Sequence, residues 1–363
     1  MKAQAAVAHG SGFVIQDIDL DEPRDDEVLV AIAGVGLCHT DLVFAEETGF
    51  LELPAVLGHE GSGVVQAVGS NVTKVGVGDR VAMSFRSCGG CDRCASGDPA
   101  YCRTMPLLNY TGKRDDGSKS IRDETNEISG NFFGQSSFAN LALSYERNLV
   151  LVPDDVPLEL MGPLGCGIQT GVGSVLRSLK ATPGSSLLII GGGSVGLSAV
   201  MGAAIAGCSP IILAEPMANR RTLAQELGAT HVIDPTAVDM VGAVRELVGF
   251  GVDYALDTTG IPAVQEAVLG ALGSKGVFGV VGVAPPGTKT PGDVGTLMTF
   301  GHTIKGIIEG DSDPDEFIPE LIGYYKAGQL PLEKLIRTYP LADINRAVAE
   351  QASGDCVKPI LIP

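Results

Sequence analysis

The run LLIIGGGSVGLSAVMGAAIAG at residues 187–207 admits few folds. Four apolar residues lead straight into Gly191, Gly193 and Gly196, a G-x-G-x-x-G, and a stretch of small helix formers follows. After a strand, the first glycine permits a tight turn. The second lets a pyrophosphate approach the backbone, and the third lets helix and strand pack closely. The helix N-terminus then offers N–H groups and partial positive charge to phosphates. No charge occurs from Ala181 through Ala214, long enough by count for a membrane span. Its glycines, and Pro183 and Pro210 near its ends, instead fit a strand, a turn and a buried helix. Glu215 ends the next strand, 19 residues past Gly196. A carboxylate there accepts bonds from both ribose hydroxyls and repels a 2′-phosphate, which favours NAD over NADP. Arg220 and Arg221 follow closely and keep NADP open as an alternative.

Strand and helix alternate onward from this turn. SSLLIIG, PIILAE, HVID, VDYALDTTG, GVFGVVG and HTIKGII read as six strands with helices between them, the pattern of a doubly wound parallel sheet over 168–308. Residues 1–167 differ. Short β-rich runs such as EVLVAIAGVGL and GSGVVQAVGS, broken by Gly, Pro and Asp, predict a twisted, barrel-like β domain. Residues 309–363 predict helical segments and a last strand, CVKPILI, that returns to the first domain because the α/β sheet already has six strands. The polar segment Tyr110 to Asn131 reads as an exposed loop. The sum of 25 basic and 43 acidic residues is −18, a charge that repels nucleic-acid backbones.

The cysteines are distributed for metal rather than for disulfides. Cys88, Cys91, Cys94 and Cys102 form C-x2-C-x2-C-x7-C. Four thiolates so close can wrap one tetrahedral zinc and leave no position for water, so this site is expected to be structural. An iron–sulfur cluster or disulfides are the alternatives; the last gap and the Arg103 after it depart from the common cluster run. Cys38 in GVGLCHTD, His59 in LGHEG and Cys166 in PLGCGIQTG each follow a glycine-containing turn. Two thiolates and an imidazole suit a second zinc with an open position, a catalytic arrangement. Taken singly, such residues are as readily explained as core.

Together, in this order, GVGLCHTD, GHEGSGVV, the four-cysteine loop, GCGIQTG and GGGSVG resemble the zinc-dependent medium-chain alcohol dehydrogenases over essentially the whole chain. FFGQSSFA with PLGCGIQTG is most similar to the aryl (benzyl) alcohol members. The resemblance implies an α/β fold: a GroES-like β-rich catalytic domain (1–167 and 309–363) and a Rossmann NAD-binding domain (168–308). It implies two zinc ions per subunit: Cys38, His59 and Cys166 on the catalytic one, and the four clustered cysteines on the structural one. It implies Thr40 as the hydroxyl that hands off the alcohol proton, with Asp41 and Glu60 as supporting carboxylates and Asp41 holding the His59 ring. His39 and Lys358 match cationic contacts to coenzyme phosphates. Thr170, Val195 and Val281 match the nicotinamide pocket, Arg220 an adenosine contact, and Leu107 and Phe132 substrate-pocket walls.

The implied reaction interconverts a primary, aromatic or allylic alcohol and its aldehyde by hydride transfer to NAD. One position departs from the pattern: Val43 stands where animal members have a relay histidine, so His39 or water must carry the proton onward. Two rival expectations are a thiol-dependent formaldehyde dehydrogenase and a non-catalytic NAD-binding protein. Alcohol and aldehyde are the expected partners, with no nucleic acid and no membrane. A homodimer or homotetramer in the cytoplasm is expected.

Overall fold

The computed structural model describes residues 1–46 and 50–363. It divides into two compact units: 1–167 with 313–328 and 332–363, and 168–312 with 329–331. Among the described residues, the first unit holds a five-stranded and a seven-stranded sheet, and the second a six-stranded one.

The spine of the first unit is the strand Glu27–Gly36. It pairs antiparallel with Gly61–Val68 and with Leu141–Tyr145. The C-terminal strand Lys358–Ile362 does return to this unit. It sets Ile360 opposite Gly36 and Leu361 opposite Val35, and runs parallel to Ile336–Pro340. The second sheet is built on Lys2–Ala8 paired with Phe13–Leu20.

The segment 110–131 is not simply an exposed loop. Ile121–Arg122 and Glu127–Ile128 extend the five-stranded sheet. Arg114 is buried, with Nε 2.6 Å from Glu27 Oε1 and Nη1 2.7 Å from Asp21 Oδ2. Strands of two residues carry no periodicity, and charges that pair across a fold read locally as solvated surface. Burial opposes the Arg114 charge, but Glu27 and Asp21 hold it firmly protonated.

In the second unit the six strands are all parallel. Their order is His231–Ile233, Ile211–Ala214, Leu187–Ile190, Val252–Asp257, Leu272–Val280, Thr303–Gly306. The order reverses beside Leu187–Ile190, the switch point at which open α/β sheets bind ligands. The charge-free stretch forms two of these strands and the helix Ser194–Ala206. No helix among the described residues is long and apolar enough to cross a membrane. Ile190, Ala214, Val244, Val252 and Phe278 pack one face of the sheet.

Arg114→Ala leaves the Glu27 carboxylate buried without its cation. It is expected to cost about 3–5 kcal/mol of unfolding free energy. Urea denaturation checks this; a loss under about 1 kcal/mol, the size of a surface pair, contradicts it.

Candidate active site

One buried carboxylate joins two of the expected ligands. Cys38 caps the helix His39–Ala45, and Asp41 sits at its third position. Asp41 Oδ2 accepts the Cys38 N–H at 2.9 Å. Asp41 Oδ1 accepts from His59 Nδ1 at 2.8 Å and from Gly58 N at 3.1 Å. An ionised carboxylate only accepts, so His59 carries its proton on Nδ1 and turns Nε2 the other way. Nε2 is buried and has no hydrogen-bond partner among the described residues. The ligand atoms of Cys38, His59, Glu60 and Cys166 all lie within 4.8 Å of one another.

The charges explain what this pocket wants. A hydrogen bond from Cys166 favours the Cys38 thiolate, and that effect outweighs burial. Burial is the largest influence and disfavours a charged His59, but Asp41 and Cys38 together outweigh it and pull the ring toward imidazolium. The two shifts have opposite causes: positive neighbours favour the Cys38 thiolate, and negative neighbours favour a charged His59. A buried imidazole nitrogen without a partner beside two sulfurs fits zinc, with His59 Nε2 and the Cys38 and Cys166 sulfurs as donors.

Glu60 supports the third ligand. Its Oε1 accepts the N–H of Gly167, next to Cys166, at 3.0 Å. Its oxygens also lie 2.9 and 2.8 Å from Lys358 Nζ. Gly36 is needed as the floor here, because a Cβ would come within 2.0 Å of Glu60 Oε2. Burial raises the Glu60 carboxyl, and Lys358 opposes that rise. Lys358 is the residue expected at a coenzyme phosphate. It is 1 % exposed, and its three donors go to the two Glu60 oxygens and the Leu37 carbonyl.

Thr40 Oγ1 lies 3.8 Å from Cys38 Sγ, at the rim of the ligand set. His39 is exposed at the start of the same helix, and Val43 lies half-buried on it. The expected wall residue Leu107 is 65 % exposed. The helix Met105–Tyr110 turns Met105 and Leu108 inward instead. Phe132 is fully buried and forms a wall with residues the sequence analysis did not single out. Phe133 stacks on His59 with centroids 4.4 Å apart, and Phe132 meets the same ring edge-on at 5.6 Å. Phe44 and Tyr110 complete the cluster, at 5.0 Å from Phe132 and 5.4 Å from Phe133. The stacking needs Phe133 at φ 52°, a left-handed conformation rare for an aromatic residue. Asn148 Nδ2 donates to its carbonyl at 2.9 Å.

The four clustered cysteines converge as well. Cys91 Sγ is 3.6 Å and Cys88 Sγ 4.0 Å from Cys94 Sγ. A tetrahedron of 2.3 Å zinc–sulfur bonds has edges of about 3.8 Å, whereas a disulfide needs about 2.05 Å. All four are free thiols. Backbone N–H bonds from Arg103 and Cys94 lower Cys91 to about 6, while burial and neighbouring sulfurs push Cys94 up to about 12. The loop ionises fully only around a cation.

In the second unit the glycine turn has the shape of a phosphate cradle. Gly191 adopts φ 96°, and a Cβ on Gly196 would come within 1.8 Å of the Gly191 carbonyl. A Cβ on Gly193 would meet open space, and no side chain caps the helix Ser194–Ala206 that begins there. Glu215 is buried, its oxygens accepting from Gly192 N at 2.5 Å and Met217 N at 2.8 Å. Arg221 is committed to the carbonyls of Glu215 and Pro216 and to Asp234. Val281 follows the strand Leu272–Val280, Thr170 is buried on the helix Gly167–Gly173, and Arg220 lies on the helix Ala218–Glu226.

This fold and donor set define a zinc-dependent dehydrogenase of alcohols. Residues 24–154 match the alcohol dehydrogenase GroES-like domain and residues 194–323 the zinc-binding dehydrogenase family. The chain is 45% identical to a geraniol dehydrogenase of Castellaniella defragrans, over 100% of this chain and 98% of the relative. It superposes on a zinc-binding alcohol dehydrogenase domain protein of Burkholderia ambifaria with TM-score 0.97 and 50% identity, covering 100% and 99% of the two chains. For a benzyl alcohol dehydrogenase of Acinetobacter calcoaceticus the TM-score is 0.96 at 43% identity, with the same coverage. The chain therefore belongs to the zinc-dependent medium-chain alcohol dehydrogenase family, and small alcohols and aldehydes are its substrates.

Cys94→Ser is expected to lose about one of two bound zinc ions and to lower the melting temperature more than it lowers kcat. Metal analysis with a thermal scan checks this; full zinc content with an unchanged melting temperature contradicts it.

Proposed function

We propose that the chain oxidises primary alcohols with an aromatic or allylic group next to the carbinol carbon, with NAD as acceptor, and reduces the matching aldehydes. The observation that carries this reading is the aromatic wall around His59, with Phe133 stacked at 4.4 Å and Phe132 edge-on. Aromatic faces prefer a π-bearing substrate by offset or edge contacts. Geraniol and benzyl alcohol, in the names of two relatives, both carry a π system beside the carbinol.

When bound, zinc supplies Lewis acidity that makes the alcohol proton easier to lose, and NAD takes up the hydride. The chain's own residues do the rest. Cys38, His59 and Cys166 hold the metal, with Asp41 fixing the His59 ring. Thr40 accepts the substrate's proton. Val43 cannot pass it on, so the exposed His39 or water does so. The rings of Phe44, Tyr110, Phe132 and Phe133 keep water from the reacting carbon. Gly191, Gly193 and Gly196 with the helix N-terminus take the pyrophosphate, and Glu215 takes the ribose hydroxyls. Arg221, already spent on backbone carbonyls, supports NAD over NADP. Thr170, Val195 and Val281 face the nicotinamide, and Arg220 the adenosine. The enzyme is proposed to work as a cytoplasmic homodimer or homotetramer.

The test is NADH appearance from purified protein with NAD⁺ and benzyl alcohol or geraniol. Ethanol and NADP⁺ are expected to be poor by at least about tenfold, and equal rates would remove the reading. Phe133→Ala is expected to cut kcat/KM for benzyl alcohol about tenfold and that for ethanol far less. Equal losses for both alcohols would assign the ring to structure alone.

A further inference from the structure

Resting on NAD as the coenzyme, we propose that Glu309 is a positioning residue for the coenzyme pocket. Its buried carboxylate, bound by Gln169, fixes a strained turn against the helix that carries Thr170.

The edge strand Thr303–Gly306 leads into Glu309–Asp311, where three consecutive residues are left-handed: φ is 51° at Glu309, 66° at Gly310 and 52° at Asp311. Only one of the three is glycine. Such a run persists where its surroundings over-determine it, and strain of this kind gathers at ligand clamps. The surroundings here are specific. Gln169 Nε2 donates to Glu309 Oε2 at 3.0 Å, with both side chains buried. Asp311 takes Lys305 Nζ at 2.7 Å. Gly310 lies flush on the helix Gly167–Gly173, for a Cβ on it would come within 2.4 Å of the Gln169 carbonyl.

The same helix is pinned on a second side. A Cβ on Gly171 would come within 2.2 Å of the Val195 carbonyl, in the first turn of the helix that opens at the glycine loop. Thr170 therefore sits on a helix wedged between the Glu309 turn and the glycine loop. The turn follows the carboxyl end of its strand, as Gly191, Glu215 and Val281 follow theirs. Burying a carboxylate is costly unless it is hydrogen-bonded, and here the bond goes to the neighbour of Thr170. An apolar residue would pack the turn without that cost. What Glu309 adds is a fixed distance between turn and helix.

The test titrates NADH by its fluorescence into the wild-type holoenzyme and into Glu309→Ala, Glu309→Gln and Gln169→Leu, with KM measured for NAD⁺ and for benzyl alcohol. Glu309→Ala is expected to weaken NADH binding and to raise the NAD⁺ KM about tenfold, with the alcohol KM and zinc content within about twofold. Gln169→Leu should match it. Glu309→Gln keeps an oxygen for Gln169 and should stay within about threefold of wild type. Wild-type NADH affinity in Glu309→Ala overturns the proposal, and if that variant does not fold, the same result in Gln169→Leu does so. Wild-type protein that fails to bind NADH at all overturns the NAD reading beneath it.

Discussion

The Asp41 carboxylate is the contact on which the candidate catalytic centre depends. It lies fully buried between two segments that meet only in the folded chain, the helix after Cys38 and the turn before His59. One oxygen fixes the backbone of a thiol ligand, while the other fixes the ring and proton position of the imidazole ligand. With Nδ1 committed, Nε2 has no hydrogen-bond partner among the described residues, as suits a donor to a metal. Glu60 does the corresponding work for the third ligand through the N–H beside Cys166. Three candidate ligands from distant parts of the sequence are thus held by two carboxylates, the second of them paired with Lys358.

The two metal sites solve one electrostatic problem by different routes. The four-cysteine loop is local: its sulfurs lie within fifteen residues, and backbone N–H groups of the loop itself tune them. Such a site forms wherever the loop can close on a cation. The catalytic set is distributed, so it exists only once the strand Glu27–Gly36 and its neighbours have assembled. Once assembled, it sets a thiolate-favouring position at Cys38 beside a cation-favouring one at His59.

What could be seen in the sequence follows that division. The four cysteines, the glycine turn and the six-strand rhythm are local patterns, and each appears in the structure where the residues put it. The return of the last strand to the first unit was legible because a six-stranded sheet was already complete. The pairing of Lys358 with Glu60 left no mark in the sequence, because the two lie 298 residues apart. On the short helix Met105–Tyr110 the sequence does not show which leucine turns inward; the fold buries Leu108 and leaves Leu107 exposed. Phe133 lay inside the quoted FFGQSSFA but nothing marked it for the His59 ring, and Glu309 carried no signal, because a side chain at positive φ leaves no mark in composition or periodicity. The segment around Arg114 looked like surface because its acidic partners lie about ninety residues away.

Asp41→Asn removes the Asp41 carboxylate contact most directly. An amide has one acceptor oxygen, so it cannot serve both the Cys38 N–H and the His59 ring. Competition with a zinc chelator, read as two separate release steps, should show one site weakened by about 10–100-fold and the other unchanged in a folded protein. If both zinc ions are held as tightly as in the wild type, the carboxylate does not build the site.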